Sequence, residues 1–233
     1  MTAAGLAAWR APEFPTGAVI ETAAVRLVPL TADAHAAILF QAVEGHDALW
    51  DYMAVGPFHA SAAFHRWLRD IEGRPDPMFY AIEDRSLGRV TGMVSYMRID
   101  RPHGVIEIGS ILLSPLLQRT RASSAALMTM IARAFEAGYR RVEWKCNARN
   151  LPSRRAAQRL GFSYEGVFRN HMIVKGENRD TAWFAITDDD WPALREAYAA
   201  WSAPTNFDAS GAQVERLGDL TRLVRVASDP ALD

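Results

Sequence analysis

The stretch Glu107-Ile108-Gly109-Ser110-Ile111-Leu112-Leu113-Ser114-Pro115-Leu116-Leu117-Gln118-Arg119-Thr120-Arg121-Ala122-Ser123-Ser124 changes its period halfway along. Up to Leu113 it continues a strand-like run that begins at Val105. From Leu117 the pattern turns helical, with Ala125, Leu127, Met128, Ile131, Ala132 and Phe135 forming a broad apolar face and Gly138 offering a C-terminal cap. A strand that feeds a long helix leaves the first N–H groups of that helix without intrahelical partners. Such a helix start can hold an anion, and Arg119 and Arg121 add charge-assisted donors beside it. A pyrophosphate is the natural guest. The alternative is a capped helix carrying two solvated arginines.

Outward from this stretch, Val142 to Cys146 reads as a short strand, so about residues 105–146 form a strand-helix-strand unit, the parallel part of a mixed sheet. Antiparallel hairpins flank it. Met78 to Glu83 and Arg89 to Arg98 join across Asp84-Arg85-Ser86-Leu87-Gly88, and Arg101-Pro102-His103-Gly104 leads on to Val105. Tyr164 to Val174 and Arg179 to Ile186 join across Lys175-Gly176-Glu177-Asn178. An earlier strand lies at Val25 to Leu30. Helices are expected after the capping groups Thr31-Ala32-Asp33 to about Val43, over Ser61 to Ile71, from about Pro152 to Leu160, and from Asp188-Asp189-Asp190 to about Trp201. The predicted order is β-α-α-β-β-β-α-β-α-β-β-α, an α/β fold on a mixed, mostly antiparallel sheet with helices on both faces. Residues 1–16, rich in Ala, Gly and Pro, read as a loose leader, 17–203 as one domain, and 204–233 as a tail. Val214, Leu217, Leu220 and Leu223 recur every three residues in that tail, so part of it is expected to be helical.

Composition narrows the function. A chain of 233 residues with 49% hydrophobic and 23% charged residues can bury an ordinary globular core. A net charge of -1 argues against nucleic acid as a partner. No apolar run approaches the ~18 residues of a membrane span, and no secretory signal is visible, so a soluble cytoplasmic protein without a membrane partner is expected. One cysteine, Cys146, excludes an internal disulfide and a cysteine-based zinc cluster, and the six histidines show no metal-binding spacing, so no metal is expected.

A second cluster, Asn147-Ala148-Arg149-Asn150-Leu151-Pro152-Ser153-Arg154-Arg155, closes with Leu160-Gly161-Phe162. Asn150 can cap the helix with Pro152 in its first turn; alternatively Asn150 and Ser153 face a ligand wedged where two strands splay. Taken together, Glu107 to Pro115, then Gln118 to Ser123, then Asn150-x-x-Ser153 and Leu160-Gly161-Phe162 resemble the GNAT N-acetyltransferases, over about residues 20–202. More narrowly they look like the ribosomal-protein N-terminal acetyltransferase (RimJ/RimL-like) branch. Two departures stand out. The family's phosphate loop usually reads Gln/Arg-x-x-Gly-x-Gly/Ala, and here Arg121 stands where the glycine normally sits, with Ser123 ending the motif. Many members also carry a tyrosine four residues before the Gly-Phe pair, where this chain has Ala157; the N-terminal acetyltransferase branch often lacks it and has a serine where Ser153 stands.

The resemblance implies acetyl-CoA as the acyl donor and direct transfer to a primary amine, here a protein or peptide N-terminal α-amine. It places the donor against Ile111, Leu112 and Leu113, against Gln118, Arg119, Thr120, Arg121, Ala122 and Ser123, and against Asn147, Asn150 and Ser153. Backbone N–H groups near Leu112 and Leu113 would hold the oxyanion, and Ser153 would serve the departing thiolate. Glu107 is the candidate base, sharing a strand face with Gly109, Ile111 and Leu113; its alternative is an ion pair with Arg98 or Lys145. Glu143 and Lys145 are expected to pair with neighbours, His103 and His171 to be surface or satisfied residues, and Cys146 to be a small buried hydrophobe. Trp50, Tyr52, Phe58, Phe64 and Trp67 are expected in the core. Two other readings remain open: acetylation of a small amine such as an aminoglycoside, polyamine or amino acid, favoured by Glu44, Asp47 and Asp51, and a non-catalytic acyl-CoA-binding sensor. The tail is assigned either to capping the cleft or to dimerisation, which leaves a homodimer open.

Overall fold

Val25 and Leu27 are fully buried while Arg26 and Val28, which follow each of them, are half-buried, the alternation of a strand with one face on a core. This strand, β2 (Val25–Pro29), follows a two-residue β1 (Ile20–Glu21) and pairs antiparallel with β3 (Met78–Asp84). The computed structural model describes residues 8–232, which form two compact units: residues 14–99 with 106–131, and residues 8–13 with 100–105 and 132–232.

In the first unit β4 (Arg89–Asp100) and β5 (Val105–Leu113) complete the strand order β1-β2-β3-β4-β5. The expected hairpin between β3 and β4 is present. Asp84 makes its turn by accepting from the Ser86 N–H at 2.8 Å and hydroxyl at 2.7 Å, and Gly88 takes the left-handed conformation at φ +62°. Helices α1 (Ala32–Val43) and α2 (Ser61–Ile71) pack Leu39, Phe40, Phe64 and Leu68 against Ala81, Met93 and Leu112. Trp50 fills the same core and meets the Phe64 and Trp67 rings edge-on at centroid distances of 6.2 and 5.7 Å. Tyr52, expected there, is instead 39% exposed, in the turn that follows Trp50.

In the second unit β6 (Arg141–Asn147), β7 (Ser163–Val174) and β8 (Glu177–Thr187) run in the order β6-β8-β7, each pair antiparallel. The helix α3 (Arg121–Glu136) begins in the first unit and ends in the second. The second unit also holds α4 (Leu151–Arg159), α5 (Trp191–Ser202) and a short α6 (Leu217–Arg222). Gly161 ends α4 at φ +93°, where a Cβ would lie 2.5 Å from Leu194 Cδ1, so the Gly-Phe pair is a packing requirement of this turn. Part of the leader lies in this unit too. Pro12 is buried and its carbonyl accepts from Arg101 Nε at 2.7 Å; residues 1–7 lie outside the described residues.

The tail is bound along α4. Thr221 Oγ1 donates to the Arg159 carbonyl at 3.0 Å, Arg225 Nη1 to the Gln158 carbonyl at 2.8 Å, and Asp229 N to Gln158 Oε1 at 2.7 Å. Its three-residue apolar repeat is not one buried face. Leu217 is buried, whereas Val214 and Leu223 are 69% and 82% exposed. The tail's anchor is polar: Asp229, with no exposed surface, accepts from Nε and Nη2 of buried Arg154, each at 2.6 Å. Replacing Asp229 by Ala would leave a buried guanidinium unpaired and is expected to cost about 3–5 kcal/mol. Urea unfolding of Asp229→Ala checks this, and a loss below about 1 kcal/mol would show that the pair holds nothing.

Candidate active site

The residues singled out from sequence fall at two loci, one in each unit. The first surrounds the end of β5. Ile106, Glu107, Ile108 and Gly109 are all buried, and Ser110 is left-handed at φ +50°. A left-handed residue inside a strand breaks the two-residue period, so the common face expected for Glu107, Ile111 and Leu113 does not carry across Ser110. Arg98 in β4 is also left-handed, at φ +47°, with its N–H and that of Ile99 bound by the Asp76 carboxylate at 2.9 and 3.0 Å. The Arg98 Nη1 then lies 2.7 Å from each oxygen of Glu107. Arg98, one of the two partners considered for Glu107, is therefore present.

Beyond β5 the loop closes on itself. The Ser114 carbonyl accepts from Leu117 N at 2.9 Å and Gln118 N at 3.0 Å, and Gln118 Nε2 donates back to the Leu113 carbonyl at 3.1 Å. The helix therefore starts at Arg121, four residues later than the apolar periodicity predicts. Thr120 caps it: its hydroxyl accepts from Ser123 N at 3.1 Å and donates to the Leu117 carbonyl at 2.8 Å. One of the N–H groups expected to be open, that of Ser123, is thus already used. The main-chain N–H groups of Arg119 and Ala122 have no hydrogen-bond partner among the described residues. The residue that needs glycine-like freedom is Arg119, at φ +61°, while Arg121 is an ordinary first helical residue. The arginine in the family's glycine position therefore imposes no backbone penalty.

The second locus follows β6. Asn147 O accepts from Asn150 N at 2.8 Å and Asn147 Oδ1 from Arg149 N at 2.9 Å, which folds residues 147–150 into a tight turn. Asn150 Oδ1 accepts from Ser153 N at 3.1 Å, so Asn150 caps α4 and Pro152 stands in the first turn. Capping uses only the side-chain oxygen and leaves the Nδ2 donors. Arg154 Nη1 donates to the Ala148 carbonyl at 2.7 Å, so the guanidinium held by Asp229 also braces this turn. Ser153 Oγ accepts from Trp144 Nε1 at 3.0 Å and is in hydrogen-bond contact with the Cys146 thiol. Burial pushes that thiol up, against Ser153 and the nearby Arg154 and Arg179, which leaves it a neutral group.

Trp144 and Asp229 did not stand out from the sequence. Trp144 was hidden among the strand residues Glu143, Lys145 and Cys146, and Asp229 lies far along the chain from its partner. Lys145 Nζ bonds Glu143 Oε2 at 2.6 Å and sits 3.9 Å above the Trp183 ring. His103 Nδ1 lies 2.9 Å from Asp100, and His171 Nδ1 lies 3.0 Å from Thr181 Oγ1.

Two predictions follow from these ion pairs. Glu107→Gln leaves Arg98 facing a neutral amide, and a cost of roughly 1–3 kcal/mol is expected in urea unfolding; an unchanged midpoint would show the pair to be idle. Burial raises the Glu143 carboxyl, but hydrogen bonds from Lys145 and Arg141 outweigh it and hold the group below its ordinary value of 4.5. Its stabilising contribution is therefore present above pH 4.5 and lost as the pH falls below it. Unfolding titrations of wild type and Glu143→Gln should diverge above pH 4.5 and converge in acid; parallel curves would contradict this.

Comparison with known proteins places these loci in context. Residues 24–163 match the model of the acetyltransferase (GNAT) domain family. The chain is 44% identical to a GCN5-related N-acetyltransferase from Brucella melitensis, covering 93% of this chain and 99% of that one at a TM-score of 0.90. It is 40% identical to a probable acetyltransferase of the GNAT family from Chromobacterium violaceum, over 80% of this chain and 94% of that one at a TM-score of 0.76. An acetyl transferase from Salmonella typhimurium that modifies the N-terminal serine of the ribosomal protein L7/L12 is 19% identical, over 73% and 99% of the two chains at a TM-score of 0.63, and shares the fold alone.

Proposed function

Because the chain belongs to the GNAT acetyltransferase family and is an N-acetyltransferase with that family's mixed α/β fold, we propose that it moves the acetyl group of acetyl-CoA directly to a protein or peptide N-terminal α-amine, as a cytoplasmic enzyme of the RimJ/RimL-like branch. The observation that carries this reading is the state of Ser153. A serine hydroxyl has one hydrogen and two lone pairs. With Trp144 Nε1 donating to its oxygen, its hydrogen is left for a sulfur acceptor, the Cys146 thiol that it already contacts or an incoming one in its place. A thiolate leaving from CoA is such an acceptor. Ala157 is fully buried, so no phenol could stand at the position that supplies this proton in many relatives.

The remaining parts follow from the same chemistry. The pyrophosphate is assigned to the N–H groups of Arg119 and Ala122, with the guanidinium groups of Arg119 and Arg121 beside them. Ile111, Leu112 and Leu113 are assigned to the acyl end, where main-chain N–H groups would meet the developing oxyanion. Gln118, Thr120 and Ser123 act by holding the loop, since their side chains are already bonded within it. Asn147 likewise shapes its turn, and Asn150 Nδ2 is assigned to the ligand. Glu107, engaged by Arg98 on both oxygens, is assigned to positioning β5 and not to proton abstraction.

Calorimetric titration of CoA into wild type and into an Asn150→Ala, Arg119→Ala, Arg121→Ala triple variant tests the donor site. Binding by the wild type and at least ~10-fold weaker binding by the variant are expected. Ser153→Ala should lower kcat by about 10²-fold with little change in the KM for acetyl-CoA, the size typical of a lost general acid. A folded wild type that binds no CoA would overturn the reading, and a Ser153→Ala enzyme at full rate would remove Ser153 from it.

A further inference from the structure

Between Phe168 and Met172 the register of β7 on β8 slips. Phe168 faces Thr181 and Met172 faces Arg179, so Arg169, Asn170 and His171 together stand opposite Asp180 alone. The extra residues form a bulge, and Asn170 within it is left-handed at φ +50° with its N–H held by Asp180 Oδ1 at 2.7 Å. The bulge opens a concavity of about 820 Å³ lined by Phe168, Arg169, Asn170, His171 and Asp180. Its apolar wall is ordered. The Phe168 ring lies 5.5 Å from the His171 ring and 4.6 Å from Trp183, and His171 is pinned by Thr181. Phe168 packs on these rings with one face and stays 53% exposed, which leaves apolar surface on the concavity's wall.

The concavity adjoins the second locus within the same unit. Asn147 pairs with Thr181, which pairs with Phe168, and Ala148 N donates to the Asp180 carbonyl at 2.9 Å. The turn that leads to Asn150 and Ser153 is thus hydrogen-bonded to Asp180, a residue that lines the concavity.

Its charges have a definite pattern. The Asp180 carboxyl is held below its ordinary range, first by the Asn170 N–H and then by the Asn178 amide, with Arg149 and Arg169 acting through space. Arg169 is exposed and its guanidinium makes no hydrogen bond among the described residues. One anion and a cation that acts on it only through space therefore stand on the same rim, and a second arginine is close enough to act on the anion as well. A polycation finds no net negative charge here. A molecule that carries an ammonium and an anion a few bonds apart finds a partner for each.

We propose that this concavity is the acceptor subsite, and that it selects a primary amine placed close to a carboxylate, with Asp180 attracting the ammonium and Arg169 the carboxylate. The inference rests on the acetyltransferase reading and deepens it. Two sources supply this chemistry: a peptide with an acidic residue next to its N-terminus, and a free amino acid.

The test measures acetyl transfer by thiol release with wild type, Arg169→Glu and Arg169→Lys. The acceptors are a hexapeptide with aspartate at its second position, the same peptide with lysine there, free glutamate, and spermidine. Wild type should prefer the aspartate peptide or glutamate over the lysine peptide and spermidine, and whichever of the first two wins identifies the source. Arg169→Glu should raise the KM of the preferred acceptor at least ~10-fold while leaving the dissociation constant of CoA unchanged, and Arg169→Lys should recover most of the loss. Because Arg169 is exposed and unbonded, the variants are expected to fold, which thermal unfolding verifies. A wild type that transfers to amines with no preference for an adjacent carboxylate, or with a KM indifferent to Arg169→Glu, would overturn this proposal and leave the acetyltransferase standing. A wild type that binds CoA but acetylates none of the four acceptors would overturn the proposal as well.

Discussion

A guanidinium cannot leave water without a counter-charge, and Arg154 has left it almost entirely. Asp229 supplies the charge through two 2.6 Å bonds, and the remaining Nη1 is spent on the Ala148 carbonyl. That one side chain therefore joins three stretches of the second unit: the tail, the helix that carries Ser153, and the turn that carries Asn147 and Asn150. The candidate chemistry at β6 depends on it, because Asn150 and Ser153 keep their orientation only while turn and helix keep theirs. The tail, which on sequence alone suggests a cap or a dimer contact, is in this light a strap on α4.

Much of the fold was legible because the sequence signals were local. The Asp84 to Gly88 hairpin, the Gly161 terminus of α4 and the Asn150 cap each rest on residues whose side chains or φ angles act within a few positions. The start of α3 was misplaced for the same reason in reverse. Leu117 fits the apolar period of the helix, yet Thr120 outcompetes it as a cap and leaves 114–120 as a self-bonded loop. The three-residue spacing of Val214, Leu217, Leu220 and Leu223 pointed to a partly helical tail, and α6 is that helix; regular spacing alone does not say which positions find a surface, since Leu217 is buried and Val214 and Leu223 are exposed.

At the site the sequence showed residue types and positions but not how their hydrogen bonds were used. Glu107 could be read as a base or as half of an ion pair, and the pair with Arg98 depends on a left-handed turn held by Asp76 that no sequence pattern displays. Trp144 was invisible because an indole on a buried strand looks like core, and its Nε1 acquires meaning only from the serine it reaches on α4. The bulge at Arg169 to His171 was likewise beyond pattern reading. A slipped register in an edge hairpin leaves no periodic mark, whereas its consequence is a concavity with separated charges.

The proposed role of the Ser153 hydroxyl, held by Trp144, is to serve the sulfur of the acyl donor. A crystal structure of the full chain with CoA tests it most directly. The account predicts the CoA sulfur within hydrogen-bond reach of Ser153 Oγ, the Trp144 bond retained, and the pyrophosphate on the N–H groups of Arg119 and Ala122. A sulfur turned away from Ser153, with the pyrophosphate bound elsewhere, would contradict it.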